Sequence, residues 1–327
     1  MIQYTVFGES HGPAIGVVIT GLPSGLAVDL DAVAAEMARR APGGDDISTP
    51  RKEADKVEIL SGFFEGKTTG TPLCGVIYNK DTRSKDYSKL KDLPRPSHAD
   101  YTGALRYGGC NDYRGGGHFS GRLTAPLVFA GALAKQLLAQ RGIAVESRID
   151  LLGGVENPTE EQIREIILAA KADGDSVGGA VQCTVSGVPA GFGAPDLGEN
   201  AEGIFAKHLF AVPGVKGIEF GAGFGFASMR GSQANDPFVM DGDAVRTLTN
   251  HAGGINGGIT NGMPLVFRVA MRPTPSIAKA QQTVRLSCGT NETLVVEGRH
   301  DPCSVKRALP VIEAAAALAV CELMGIE

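Results

Sequence analysis

Tryptophan is absent from the 327 residues, aromatic residues make up only 6%, and the six cysteines include no Cys-x-x-Cys pair. The scattered Cys74, Cys110, Cys183, Cys288, Cys303 and Cys321 argue against a disulfide-built secreted scaffold and fit a reduced cytoplasmic protein. No run of about 18 apolar residues occurs, so no membrane span is expected. The opening Met1-Ile2-Gln3-Tyr4-Thr5 has no basic segment followed by an apolar one, and no signal peptide is expected there. Charge of one sign is also scarce. A net charge of −5 and a pI near 5.8 speak against a nucleic-acid partner held by bulk electrostatics.

Glycine is what the chain has in excess. Its 45 glycines are about twice the average share of roughly 7%. They follow no G-X-Y period, and 43% hydrophobic residues argue for a packed core rather than a disordered chain. Glycine at that density implies many sites of positive φ or close backbone approach. Charge is uneven along the chain. Residues 1–150 hold 18 Lys+Arg against 17 Asp+Glu, and residues 151–327 hold 13 against 19. The arginines gather at the motifs described below, which suits a small anionic ligand.

The chain reads as two copies of one plan. Gly16-Val17-Val18-Ile19-Thr20-Gly21-Leu22-Pro23-Ser24-Gly25 resembles Val181 to Gly191, each a β-branched run ending in G-x-P-x-G. A helical stretch follows in both, Leu30 to Arg40 and Ala201 to Phe210, stopped by Pro42-Gly43 and Pro213-Gly214. Turns at Gly70-Thr71-Pro72 and Gly262-Met263-Pro264 then feed strands over Cys74–Tyr78 and Val266–Ala270. Each copy closes in a long apolar helix, Leu123 to Gln140 and Val305 to Met324, with a proline near its start where a missing N–H costs least. Helices apolar around most of their girth are buried. The expected fold is therefore α/β: a single domain over 1–327, a β-α-β sandwich of duplicated strand–helix–strand–helix units. Its halves fall near 1–150 and 176–327, with long helices between antiparallel sheets. Glu160 to Ala172 is an amphipathic helix at the join.

Three strings are hard to explain as packing. Gly8-Glu9-Ser10-His11-Gly12 matches the G-x-S-x-G of a nucleophile elbow, though no core strands of a hydrolase sheet precede it. Arg95-Pro96-Ser97-His98-Ala99-Asp100 leads to Asp112-Tyr113-Arg114-Gly115-Gly116-Gly117-His118-Phe119-Ser120-Gly121-Arg122. A triple glycine before a helix offers bare N–H groups to an anion, and arginines at both edges favour a phosphate or flavin cradle. The pattern is neither a P-loop nor a Rossmann fingerprint. Gly298-Arg299-His300-Asp301-Pro302-Cys303 places charge just before a buried helix, but its two metal-ligating types at one spacing fall short of a zinc site. No metal is expected.

Taken in order, FGESHG, HADYT, DYRGGG, GVPAG, NHAGGI and GRHDPC resemble the chorismate synthase family over nearly the whole chain. The resemblance implies a β-α-β sandwich, usually tetrameric. It also implies a 1,4-elimination of phosphate from 5-enolpyruvylshikimate-3-phosphate, the last step of the shikimate pathway, with reduced FMN and no net redox change. NADPH is a candidate flavin reductant. By position, His11 and His98 match the family's catalytic histidines and Asp301 its carboxylate near the flavin. Gly117, His118, Phe119, Ser120, Pro213, Gly214, Gly257, Arg272, Pro273, Thr274, Pro275, Ser276 and Arg299 would contact flavin. Ser10, Arg40, Arg51, Arg122 and Arg299 would meet the substrate's phosphate and carboxylates, since guanidinium forks match such anions. His118-Phe119 stands where the family commonly has Arg-Ser, and Asp46 where a basic residue often stands.

Overall fold

The computed structural model describes residues 1–43, 47, 55–80, 90–298 and 301–326. The β-branched runs pair into two antiparallel sheets. Strands β1 (Gln3–Gly8), β2 (Ala14–Thr20), β3 (Glu58–Ser61) and β4 (Leu73–Tyr78) form the first, in the order β1-β2-β4-β3. Strands β5 (Ala144–Leu152), β6 (Val155–Glu156), β7 (Gly179–Ser186), β8 (Val215–Phe220) and β9 (Leu265–Met271) form the second, in the order β8-β9-β7-β5-β6. With the short β6 set aside, both sheets pair their first strand with the second, the second with the fourth and the fourth with the third.

The six longer helices are α1 (Leu30–Arg40), α2 (Asp100–Arg106), α3 (Thr124–Ala139), α4 (Glu160–Ala172), α5 (Ala201–Phe210) and α6 (Val305–Leu323). Helix α3 packs on β2 and β4, α6 packs on β5 and β7, and the two helices pack on each other. The layers thus run sheet, helices, sheet. Both long helices are buried almost throughout, as their lack of a polar face requires. Their closest approach uses glycine: a β-carbon on Gly131 would lie 2.1 Å from Ala314 Cβ. Pro126 occupies the third position of α3, where no helical N–H bond is lost. Pro310 is the sixth residue of α6, one turn deeper than a cost-free position, so that helix forgoes one backbone bond.

Helix α1 shows how local chemistry aims a side chain at the site. Asp29 caps it, accepting from the backbone N–H of Asp31 and Ala32 at 2.9 Å each. Val33, Met37 and Arg40 form its buried stripe, so the last residue faces inward while Arg39 points to α6. A separate hairpin pairs Gln281–Arg285 with Thr290–Leu294. No helix among the described residues is long and apolar enough to cross a membrane.

Candidate active site

The loop after β9, the turn after α5, the end of α1 and the approaches to α2, α3 and α6 converge around a cavity of about 270 Å³. Among the described residues its wall carries Arg40, Arg95, Arg122, Arg272 and Arg307 against two carboxylates, Glu297 and Asp301. Phe119, Met271, Pro273 and Pro275 add apolar surface. A second cavity of about 760 Å³ shares His98, Phe119, Thr124, Val212, Pro213, Gly214 and Arg272 with it, so the two adjoin.

His98 is set at this shared wall by its neighbours in sequence. Ser97 takes a left-handed φ of 59°, which turns the chain sharply before α2. Nδ1 of His98 lies 2.6 Å from Asp100 Oδ1. Asp100 also accepts from Arg95 Nε and Nη2 at 2.8 Å each and from the Arg95 backbone N–H at 3.0 Å. Burial works against Asp100's ionisation, but Arg95 and His98 outweigh it and hold the carboxyl well below the usual range. Burial pulls the His98 pKa down, and Asp100 opposes that only in part. The neutral ring therefore donates from Nδ1 to Asp100 and leaves Nε2 as its free lone pair.

His11 is buried, with Nδ1 3.1 Å from the Ser10 hydroxyl. Ser10 is also buried; its hydroxyl donates to the carbonyl of Gly115 at 3.0 Å, and its N–H to the carbonyl of Gly117 at 3.1 Å. The three glycines all have positive φ (59°, 85° and 54°). A β-carbon on Gly115 would stand 2.1 Å from the His11 ring, and one on Gly116 would stand 3.1 Å from His98 Cε1. The glycine run is thus a spacer between two imidazoles, and of the three only Gly115 faces the cavity. A serine nucleophile elbow does not form, because the Ser10 hydroxyl is enclosed among carbonyls rather than presented to a pocket.

Arg40 and Arg122 share one buried carboxylate. Asp55 Oδ2 accepts from Arg40 Nη1 and Oδ1 from Arg122 Nη1, both at 2.5 Å. Burial opposes its charge, yet the two guanidinium groups keep the Asp55 pKa low. Burial also pulls Arg40 down to about 10 despite Asp55. Across the cavity Asp301 Oδ2 accepts from Arg307 Nη1 at 2.6 Å, and Arg307 Nε donates to the carbonyl of Arg40 at 3.0 Å. Burial pushes Asp301 above the ordinary carboxylate pKa, with Arg307 opposing. Residues 272–276 strap the parts together. Arg272 donates to the Ser97 carbonyl, Thr274 to the Asp301 carbonyl, and Arg95 to Ser276 Oγ at 3.0 Å.

Residues 2–324 match the family model described as chorismate synthase. The chain belongs to the chorismate synthase family. A chorismate synthase of Chitinophaga pinensis is 47% identical over 100% of this chain and 96% of its own length. One from Dehalococcoides mccartyi is 46% identical, covering 99% and 94%, and one from Thermococcus kodakarensis is 46% identical, covering 98% and 95%. A solved crystal structure of chorismate synthase superposes with a TM-score of 0.75 at 26% identity, covering 99% of this chain and 91% of that one.

Of the residues that the family motifs single out, Arg40, His98, Phe119, Ser120, Arg122, Pro213, Gly214, Arg272 to Ser276 and Asp301 line the first cavity. His118 lines the second, and its Nδ1 lies 2.9 Å from the Gly8 carbonyl. Ser10 and His11 meet the cavity wall through Gly115, and Gly117 packs against the Asp112 carbonyl. Gly257 lies apart, in the turn of the Ile255–Thr260 hairpin. Arg51, Arg299, His300 and Asp46 fall outside the described residues. Arg114 does not reach the cavity wall; it pairs with Asp112 at 2.7 Å. Sequence reasoning missed Asp55, Arg95, Asp100 and Arg307 as site residues. Arg95 and Asp100 flank His98 closely enough to have been suspected, whereas Asp55 and Arg307 carry no local signal.

Proposed function

We propose that this cavity is where the chain forms chorismate, by 1,4-elimination of phosphate from 5-enolpyruvylshikimate-3-phosphate in the presence of reduced FMN. The observation that carries the reading is the convergence of His98, Asp301 and five arginines on one small cavity, with His11 directly behind its Gly115 wall. An elimination of phosphate needs cations for the leaving group and a base for a carbon-bound proton, and this wall supplies both.

The walls also fit a flavin mononucleotide. Phe119, Val212, Met271, Pro273 and Pro275 supply apolar surface. Arg272 has no carboxylate partner among the described residues, and burial alone lowers its pKa. A partly buried cation without a carboxylate partner suits an anionic ligand group such as the flavin phosphate. Reduced flavin, when bound, supplies an electron-rich partner that the reaction returns unchanged.

The chain's own residues take the following parts. Arg40 and Arg122 hold the substrate's phosphate and carboxylate oxygens and offset charge as phosphate departs. His11, backed by Ser10, protonates the departing phosphate. His98 holds or passes a proton at Nε2 while Asp100 fixes Nδ1. Asp301, its pKa raised by burial, receives the ring proton, a role that a more basic carboxylate fills better. Gly117, His118, Ser120, Pro213, Gly214, Thr274 and Ser276 join the flavin site by the same family correspondence, which alone assigns Arg299 to flavin and substrate and Arg51 to substrate.

Three coarser readings go with this one. The matched strand order of the two sheets supports an internal duplication. The exposed Phe224, Phe238, Met240, Val245 and Leu248 support a homotetramer, which light scattering would test. Six free cysteines support a cytoplasmic setting. The deciding experiment mixes the protein anaerobically with photoreduced FMN and 5-enolpyruvylshikimate-3-phosphate and follows chorismate, with and without NADPH. Normal turnover by both His11→Ala and His98→Ala would remove the assigned proton roles, and flavin binding without phosphate release would remove the reaction.

A further inference from the structure

Arg40 and Arg122 do not need Asp55 to hold their places. Arg40 Nε donates to Thr124 Oγ1 at 3.1 Å and its Nη2 to the Gly121 carbonyl at 3.1 Å. Arg122 Nε donates to Asn79 Oδ1 at 2.7 Å. Neutral oxygens thus fix both guanidinium planes. Asp55 is as buried as they are, and unlike them it does not line the cavity. A carboxylate behind two positioned arginines, out of a ligand's reach, adds little to their geometry and a full negative charge to their field.

We propose that Asp55 sets the charge of the anion clamp: it lowers the positive field of the two guanidinium groups so that phosphate, once cleaved, is held loosely enough to leave. This rests on the reading of Arg40 and Arg122 as the substrate-anion clamp. Without the charge of Asp55 the two buried guanidinium groups would bind the phosphate product more tightly at the end of the cycle, when release has to follow. With Asp55 ionised the pair still offers directed N–H groups to an anion, but with part of its charge offset. Asp55 acts through the arginines and is a positioning residue in the electrostatic sense, not a catalytic one.

The test measures the dissociation constant of inorganic phosphate, and its inhibition of turnover, for wild type, Asp55→Asn, Asp55→Glu and Arg122→Gln in the full chain. Asparagine keeps the shape and one acceptor while removing the charge. Asp55→Asn is expected to bind phosphate at least about fivefold more tightly, a modest share of what a nearby unit charge contributes in a protein. Its kcat is expected to fall further than its KM changes. Asp55→Glu, which restores the charge, is expected to return phosphate affinity to near the wild-type value. A purely structural role would loosen phosphate in both variants. If Asp55→Asn folds poorly in phosphate-free buffer, added phosphate is expected to raise its melting temperature more than that of wild type; the absence of that excess overturns the proposal. Unchanged or weaker phosphate binding in a folded Asp55→Asn also overturns it. Arg122→Gln separates the two levels. If it leaves phosphate affinity unchanged, the clamp assignment itself fails and the role of Asp55 falls with it; if it weakens phosphate while Asp55→Asn does nothing, only the role of Asp55 fails.

Discussion

Replacing Gly115 by alanine is expected to remove most of the activity while leaving the fold in place. Two costs follow, and they are separable. The first is backbone strain: Gly115 sits at φ 59°, a left-handed conformation that costs a residue with a β-carbon about 1–2 kcal/mol. The second is steric. The new carbon would lie 2.1 Å from both Cε1 and Nδ1 of His11 and 2.7 Å from Ser10 Oγ, whereas ordinary contacts begin near 3.4 Å. The ring has to retreat by roughly an ångström, and displacement on that scale of a group with the proton role proposed for His11 costs about 10²-fold in rate. Gly142→Ala is the matched control. Gly142 has φ 73° with nothing within 4 Å of an added carbon, so it carries the same strain without the collision. Steady-state chorismate formation under anaerobic conditions with reduced FMN gives the rates, and urea unfolding gives the stabilities. Both variants should lose about 1–2 kcal/mol, and only Gly115→Ala should lose turnover. A Gly115→Ala enzyme that folds and keeps kcat/KM within about threefold of wild type would refute the reading of the glycine run as a spacer for His11.

Asp100→Asn should lower kcat by about 10²-fold or more, because an amide has no charge and only one acceptor oxygen, too few to serve both Arg95 and the Nδ1 proton of His98; a KM-only effect would contradict this. Arg307→Gln should move the acid limb of the pH–rate profile upward. As the proposed base Asp301 would work deprotonated, burial already raises its pKa, and Arg307 is the main group lowering it, so activity near pH 6 should fall more than activity near pH 8. An unmoved limb would show that Asp301 does not govern it. Gly131→Val should destabilise the chain by about 3 kcal/mol or more through overpacking against Ala314, read as a lower urea midpoint with unchanged slope. Glu313→Ala should cost about 2–4 kcal/mol, because buried Glu313 joins Lys135 at 2.8 Å, Arg39 at 2.7 Å and Ser147 at 2.7 Å across the helix layer. Its turnover per folded molecule should stay near that of wild type.

How far the sequence reaches is visible in α1. Its start at a capping aspartate and its stop before Pro42-Gly43 are local events, and the helix spans Leu30–Arg40 as the pattern predicts. The same holds for α4 and α5, which end where their periodicity ends. The two arginines closing α1 look alike in sequence and do different work. One residue is a rotation of about 100° on a helix, so Arg40 enters the cavity while Arg39 reaches Glu313 on α6. Periodicity from Val33 and Met37 could have told them apart. Asp55 is different: its partners lie 15 and 67 residues away in the chain, and nothing in Glu53-Ala54-Asp55-Lys56 marks a buried charge. The glycine run was legible as a place of close approach, but what approaches it was not. Gly115 lies against His11, delivered by the loop after β1, and Gly116 against His98, delivered by the turn before α2.

The arginines of the cavity therefore cannot be counted as free charge. Arg40 and Arg122 share Asp55, Arg95 is committed to Asp100, and Arg307 to Asp301. Arg272 alone among the five has no carboxylate partner within the described residues, and it stands on the wall common to both cavities. A site that bound its ligands by bulk attraction would leave more of these charges open. Here most guanidinium groups are already paired, so they arrive at the ligand pre-oriented and with their desolvation offset, which favours direction over strength. The same pairing does two further jobs: Arg95 reaches His98 through Asp100, and Arg307 tempers the basicity of Asp301. Arg95 and Arg307 thus bear on the proposed chemistry through the carboxylate each holds, and the bond from Arg307 to the Arg40 carbonyl ties that pair to the anion-binding side of the cavity.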